Sequence, residues 1–195
     1  LYTYENLTEK DFSFFESLDI QGYYEKEGYI PFRYCHGSLT RSNEILKPDG
    51  GNTLELMKNL DVDLLVSGHV HFQEDKTYGK KRLLHPGAVG VSWYFDGKTQ
   101  YMMLHGNRVG WEAEFFQLNY DVEKAVKDFE ISGLNEKAPS WSKITIYTLR
   151  TGMDHNLDCL NRAKELCEKE TGNACWPDIP EKYWQQALRE FGIDL

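Results

Sequence analysis

The chain lacks several features that would assign it to a protein class directly. Its four cysteines form no CxxC pair, which argues against a zinc ribbon or a disulfide framework and favours reduced thiols in a cytoplasmic protein. No apolar run approaches the roughly 20 residues that a membrane span requires. Acidic residues outnumber basic ones by 31 to 22, and the net charge of −9 argues against broad binding to nucleic acid or to an anionic membrane.

The hydrophobic patterning predicts an α+β fold. With 195 residues, of which 41% are hydrophobic, the chain can form one sizeable core. Alternating residues predict three hairpins, with strands at 19–24 and 29–35, at 72–78 and 81–85, and at 99–105 and 109–118. Helical spacing predicts helices after Thr8, after an Asn52 cap, after Asp121, across 140–151 and 156–171, and from Pro180. We expect two domains, residues 1–120 with the strands and residues 121–195 as a helical tail.

Two histidines follow a buried-type strand. The apolar run Leu64-Leu65-Val66 stops at Ser67-Gly68 and continues into His69-Val70-His71. Residues two apart in extended backbone point to the same side, so we expect both imidazoles to project from the strand end. Such a pair can hold one metal ion, or two ions side by side. The plain alternative is two polar residues in a loop.

Two further strand ends carry similar chemistry, His36-Gly37-Ser38 and His85-Pro86-Gly87-Ala88-Val89-Gly90. In order and spacing, the three segments resemble the HG, GHTH and NPGSVG motifs of calcineurin-like metallophosphoesterases. The likeness is to the small bacterial phosphodiesterase branch, with members similar to diadenosine-polyphosphate hydrolases. The resemblance implies a four-layer αββα sandwich, of which residues 1–120 would form the C-terminal part and 121–195 a helical appendage.

The resemblance also implies roles for individual residues. His36 and His69 would bind one divalent ion and His71 a second, and a bridging hydroxide would attack a phosphoester or phosphoanhydride. Manganese is the expected metal, with iron, zinc, nickel and cobalt as alternatives. Supporting or substrate-proximal positions would be Gly37, Ser38, Gly68, His85, Pro86 and Gly87. His85 stands where the family has asparagine, and we expect a hydrogen-bonded scaffold residue there, with an extra metal ligand as the alternative.

The first half of the family's motif set is missing. No DxH, GDxxD, GNHE or GNHD occurs, so the chain shows no catalytic residue, and the expected acid histidine would lie upstream. We therefore expect the C-terminal portion of a metallophosphoesterase, inactive and mostly metal-free alone, because three imidazoles without carboxylates suit hard ions poorly. The expected partners are a small phosphate-ester or nucleotide substrate, and either the missing N-terminal half or a second copy against an open sheet edge.

Three other functions remain as alternatives. A non-catalytic scaffold or interaction protein on the same fold is the main one, and motifs upstream of Leu1 would decide between it and the enzyme. A thiol hydrolase using Cys35 and His36 is disfavoured, because adjacent strand residues face opposite ways. An endonuclease would share the metals but would require a basic stripe that the sequence lacks.

Overall fold

The computed structural model describes residues 2–93, 97–173 and 176–193. Within these ranges the chain forms seven strands, β1 (Gln21–Tyr24), β2 (Phe32–Cys35), β3 (Leu64–Ser67), β4 (Gln73–Tyr78), β5 (Lys81–Pro86), β6 (Thr99–Gly106) and β7 (Trp111–Leu118). The same ranges contain eight helices, α1 (Tyr2–Glu5), α2 (Glu9–Glu16), α3 (Gly51–Asn59), α4 (Val122–Ile131), α5 (Leu134–Lys137), α6 (Pro139–Thr151), α7 (Asn156–Thr171) and α8 (Glu181–Glu190). The predicted α+β class is confirmed.

The chain divides into two compact units. One comprises Leu7–Ser92 and Lys98–Leu118, and the other comprises the described parts of 1–6, 93–97 and 119–195. We call them the sheet unit and the helical unit. The predicted division into domains at residue 120 stays a prediction, since compactness alone does not show that either part folds independently. No helix of the described ranges is both long and apolar enough to cross a membrane.

A five-stranded mixed sheet with the order β1-β2-β3-β5-β4 organises the sheet unit. The outer pairs β1–β2 and β4–β5 are antiparallel, whereas β2, β3 and β5 run parallel. The central strand β3 is the most apolar, because a parallel strand between two neighbours is covered on both faces. One face of the sheet packs against α3 in a core of Leu46, Met57, Leu60, Val62, Leu65 and Leu83. The carboxyl ends of β2, β3 and β5 therefore meet at one edge.

The hairpin β6–β7 packs against the five-stranded sheet. The Trp111 ring meets Phe32 edge-on, with 5.0 Å between ring centroids, and its indole N–H donates to the carbonyl of Ile30 at 2.8 Å. The Gln73 side-chain amide donates to the main-chain carbonyls of Tyr101 and Phe116, each at 3.0 Å. These contacts hold the start of β6 beside the end of β5, and this placement matters for the site.

The helical unit packs α6, α7 and α8 around a core that includes Ile144, Cys159, Ala163, Cys167, Tyr183 and Ala187. The segment 140–151 is helical as predicted, and its β-branched residues face the inside. It ends at Gly152, whose φ of 71° is the left-handed geometry that favours glycine at a helix end. Helices α1 and α5 were not predicted from the sequence.

Three local predictions concerned how elements begin. The predicted helix start at Thr8 is confirmed, and Thr8 and Asp11 form a capping box in which the Thr8 amide donates to the Asp11 carboxylate at 2.7 Å. The predicted Asn52 cap of α3 is wrong, because the helix starts at Gly51 after Gly50, and the Asn52 side chain donates instead to the carbonyl of Ile45 at 3.1 Å. Helix α8 begins at Glu181 with Pro180 as the preceding cap, one residue later than predicted.

Candidate metal centre

The first predicted ligand follows β2 in a tight turn. His36 comes directly after Cys35, and the turn closes through the Ser38 amide, which donates to the Arg41 carbonyl at 2.8 Å. The buried Ser38 hydroxyl accepts from the amide of Arg41 at 3.1 Å. A Cβ atom on Gly37 would lie 2.5 Å from the Arg41 carbonyl oxygen. In the structure, Gly37 and Ser38 therefore shape the turn that carries His36.

The second predicted ligand has an unusual backbone. His69 has a φ of 64°, in the left-handed region, and it is the only non-glycine residue with positive φ in the described ranges. Such geometry costs on the order of 1–3 kcal/mol at a non-glycine residue and is concentrated at functional sites. The expectation that His69 and His71 extend the strand is wrong, because β3 ends at Ser67 and the chain turns immediately after it.

The left-handed turn brings the His69 ring against His36. The Nδ1 atom of His69 lies 3.2 Å from Nε2 of His36, and the ring centroids are 5.1 Å apart. A Cβ atom on Gly68 would lie 3.3 Å from Nδ1 of His36, so glycine permits this approach. Two imidazole nitrogens bound tetrahedrally to one ion at about 2.0–2.1 Å lie roughly 3.3 Å apart. The pair fits two positions around one ion, or an N–H···N hydrogen bond between the rings.

The surroundings of His69 favour its neutral form. Burial is the main cause that lowers the pKa of His69, and the positive charges that His36 and His71 can carry lower it further. A main-chain hydrogen bond to Asn43 acts in the opposite direction. A neutral imidazole is the form that has a lone pair for a metal ion.

The third predicted ligand is held by another segment. The Nδ1 atom of His71 lies 2.7 Å from the main-chain carbonyl of Val91, just beyond the predicted Pro86–Gly90 segment. A ligand histidine commonly donates one ring N–H to a carbonyl in this way. His71 is near enough to His69 to influence its pKa, but no group of three His, Cys, Asp or Glu side chains suited to a metal ion occurs in the described ranges. The structure thus pairs two of the predicted ligands, and within the described ranges His71 does not complete a three-residue metal group with them.

His85 lies inside the protein and contacts main-chain carbonyls through both ring nitrogens. Its side chain is fully buried, with Nδ1 2.7 Å from the carbonyl oxygen of Ser67 and Nε2 2.9 Å from that of Leu46. The pKa of His85 is lowered, chiefly by burial. With both nitrogens facing carbonyl oxygens, the ring has the contacts of a scaffold residue.

Gln100 of β6 packs against the Pro86-Gly87 segment and fixes its position. Gly87 has a φ of 89°, and a Cβ atom there would lie 2.2 Å from Oε1 of the buried Gln100. That same Oε1 accepts from the Ala88 amide at 3.2 Å, and the main-chain amide of Gln100 donates to the Ala88 carbonyl at 2.8 Å. Pro86 is the last residue of β5. Gly87 is therefore required for the fit against Gln100.

Three residues that shape this region, Ser67, Val91 and Gln100, have no role predicted from the sequence. Ser67 is buried, and its hydroxyl donates to the Gly37 carbonyl at 2.7 Å, which joins the turns of the two paired histidines. The one available signal was polarity, since Ser67 and Gln100 are polar residues inside strands. Val91 contacts His71 through its main-chain carbonyl, so its side chain gives no indication of this role in the sequence.

Cys35 gives the thiol hydrolase alternative no support. Burial raises the pKa of the Cys35 thiol to about 11, so almost none of it is the nucleophilic thiolate near neutral pH. Its Sγ contacts the carbonyl of Gly37 at 3.3 Å. Cys35, Cys159 and Cys167 form no disulfide, and Cys175 lies outside the described residues.

Two solved structures share the fold. The chain aligns with hypothetical protein PH1004 from Pyrococcus horikoshii OT3 at 18% identity and a TM-score of 0.62, over 78% of this chain and 58% of that one. It aligns with a metallophosphoesterase from Sphaerobacter thermophilus at 16% identity and a TM-score of 0.58, over 78% and 66% of the two chains. Vps29 from Chaetomium thermophilum reaches a TM-score of 0.42 at 21% identity, over 58% of this chain and 57% of that one, which is too low to carry an argument.

These likenesses establish a metallophosphoesterase-like fold and no more, because the identities are below 25%. The chain spans less than two thirds of the length of either of the first two proteins. No protein-family profile matches the sequence. No curated protein matches it either.

Proposed function

We propose that this chain is part of a hydrolase that uses two divalent metal ions to cleave a phosphoester or phosphoanhydride bond. The observation that carries the proposal is the pairing of His36 with His69, whose ring nitrogens lie 3.2 Å apart at the ends of adjacent parallel strands. The strained backbone at His69 supports it, because a position that favours glycine carries a histidine. The metallophosphoesterase-like fold supports the same class of reaction.

The role of this chain is to hold and orient metal ligands. His36 and His69 would bind one ion, and His71, fixed by the Val91 carbonyl, would face a second. Bound ions would supply the positive charge that a phosphoryl group requires and would activate water. The described residues gather no third donor around the pair, so we propose that the remaining ligands, including oxygen donors for a hard ion such as Mn²⁺, come from outside them.

The substrate we propose is a small phosphate ester or a nucleotide, including dinucleoside polyphosphates. The net charge of −9 repels extended polyanions, so attraction of the phosphate would depend on the ions themselves. Nucleic acid would need a basic surface in addition.

Hydrolysis of bis(p-nitrophenyl) phosphate in Mn²⁺ tests the proposal with two proteins. We expect the 195-residue chain to be inactive, and a protein extended by the genomic reading frame upstream of Leu1 to be active. In the extended protein, His69→Ala should abolish hydrolysis, whereas the exposed His105→Ala should not. An inactive extended protein would refute the proposed function. Robust hydrolysis by the 195-residue chain would instead refute the claim that its site is incomplete.

A non-catalytic interaction role remains the second candidate, and helix α2 favours it. None of its residues is buried, and both Phe14 and Phe15 are more than half exposed. Leu18 and Ile20 extend this apolar surface beyond the helix. Exposed apolar patches often mark protein interfaces. Static light scattering of the wild type and of a Phe14→Ser, Phe15→Ser variant tests self-association through this surface. Such a role requires the wild type to have the mass of an oligomer and the variant to have the mass of a monomer.

A further inference from the structure

We propose that His85 is a positioning residue that sets the spacing between His36 and His69 by bridging the end of β3, just before His69, and the segment that follows His36. The inference rests on the proposed function, in that the spacing matters because the two rings would share an ion. The ring nitrogens of His85 contact neither of these imidazoles. They act through two carbonyl groups, those of Ser67 and Leu46.

The first link runs from His85 to the turn of His69. Nδ1 of His85 lies 2.7 Å from the Ser67 carbonyl oxygen, at the last residue of β3 before Gly68 and His69. The Ser67 hydroxyl donates to the Gly37 carbonyl at 2.7 Å, and the Gly68 amide donates to the Cys35 carbonyl at 3.2 Å. These two bonds reach the residues on either side of His36. A movement of the Ser67 main chain would therefore change the position of the His69 turn relative to the His36 turn.

The second link runs to the segment that follows His36. Nε2 of His85 lies 2.9 Å from the Leu46 carbonyl oxygen, and the Leu46 side chain is anchored in the core beneath the sheet. Between His36 and Leu46, the main chain at Asn43 is close enough to the His69 ring to raise the pKa of His69. The position of this segment thus acts directly on His69. One buried ring joins both sides of the histidine pair.

The chemistry of the ring explains why the bridge is sensitive to substitution. Burial favours a neutral imidazole, which donates one hydrogen and has a lone pair on the other nitrogen. The neutral ring therefore donates a hydrogen bond to one of the two carbonyl oxygens. Its other nitrogen contacts the second carbonyl oxygen without a hydrogen between them. The charged group identified near the ring is Glu74 on β4, directly opposite His85 in the antiparallel pair, and it opposes the effect of burial. A phenylalanine would fill the space but donate nothing, whereas the side-chain amide of an asparagine restores a hydrogen-bond donor.

Three variants of the full 195-residue chain test the inference. His85→Phe removes the donor and keeps the volume, whereas His85→Asn restores a donor. Thr148→Val is the matched control, because it removes a buried hydrogen bond, from the Thr148 hydroxyl to the Ile144 carbonyl at 3.0 Å, in the helical unit. Circular dichroism confirms that each variant folds, and if His85→Phe does not fold, His85→Leu, which also removes the donor, replaces it in the comparison.

The readouts are the ring ¹⁵N resonances of His36 and His69 without metal, and the affinity for Zn²⁺ alone, measured by competition with a chromophoric chelator. We expect His85→Phe to shift both resonances and to weaken Zn²⁺ binding about tenfold, the lower end of what loss of a supporting partner costs a metal site. His85→Asn should recover part of both effects. Thr148→Val should lose stability without changing either readout.

The inference is refuted if His85→Phe leaves the His36 and His69 resonances as they are in Thr148→Val. That result would make His85 a core residue without influence on the pair. A wild-type chain that binds no Zn²⁺ would agree with an incomplete metal site, and the resonance comparison in the metal-free protein would then decide the role of His85. Failure of the proposed function would show instead as an inactive extended protein. The two failures are therefore distinguishable.

Discussion

Replacing Gly87 with alanine should destabilise the protein far more than the same change at Gly79. Both glycines have a left-handed backbone, with φ of 89° and 66°, so both variants bear the cost of a Cβ atom in that region, on the order of 1–2 kcal/mol. Alanine also restricts the unfolded chain, which returns about 0.4–1 kcal/mol in each case. At Gly79 no atom lies within 4 Å of the position that a Cβ would take, so about 1 kcal/mol should remain there.

Gly87 differs because Gln100 occupies the space. The new Cβ atom would lie 2.2 Å from Oε1 and 2.7 Å from Cβ of Gln100, whose side chain is only 1% exposed and cannot swing into solvent. Overpacking of this kind costs about 1–3 kcal/mol. Displacing Gln100 also breaks its bond from the Ala88 amide. We therefore expect Gly87→Ala to lose about 2 kcal/mol more than Gly79→Ala.

Urea unfolding followed by circular dichroism measures this difference. The two variants should have similar m-values and clearly separated midpoints, since a midpoint shift at constant m reports a change in stability. Equal midpoints for Gly87→Ala and Gly79→Ala would refute the reasoning. In that case Gln100 would not hold the Pro86-Gly87 segment as the structure indicates.

Three further predictions follow from the geometry. His69→Gly removes a side chain from a left-handed backbone, so it should keep the free energy of unfolding or raise it by up to about 1 kcal/mol. The same variant should bind Zn²⁺ more weakly. A large loss of stability would contradict backbone strain at His69. The pKa of His85 is lowered in the folded protein, so below about pH 6.5 the unfolded chain binds a proton at His85 more readily than the folded chain does. The free energy of unfolding should therefore fall as the pH drops below about 6.5, by at most about 1.4 kcal/mol per pH unit. His85→Phe should make that slope shallower in urea titrations at several pH values. Since the pKa of Cys35 is about 11, iodoacetamide at pH ~8 should label it far more slowly than it labels glutathione, and equal rates would contradict that pKa.

Secondary structure was largely predictable, because the signals for it are local. The Thr8–Asp11 capping box and the helical spacing after Asp121 act within a few residues, and the structure shows both helices. The three hairpins follow from alternation interrupted by turns, and each is formed. The short helices α1 and α5 were missed because four residues are too few to establish a period.

The Asn52 cap shows how tertiary contacts override a local preference. Asparagine favours helix N-terminal caps, yet here its side chain donates to Glu44 at 3.0 Å and to the Ile45 carbonyl. Those partners lie eight and seven residues earlier, in a loop whose path the sequence does not reveal. The helix starts two residues sooner, at Gly51 with Gly50 as its cap.

The sequence by itself determined the α+β class and the strand ends at which the histidines lie, because hydrophobic periodicity and motif order are properties of short segments. Only the tertiary structure decided how those histidines meet. His36 and His69 are 33 positions apart, and their ring contact depends on the parallel pairing of β2 with β3 and on a left-handed backbone that a histidine does not signal. The place of His85 between two carbonyls was equally invisible, since main-chain groups leave no mark in the sequence.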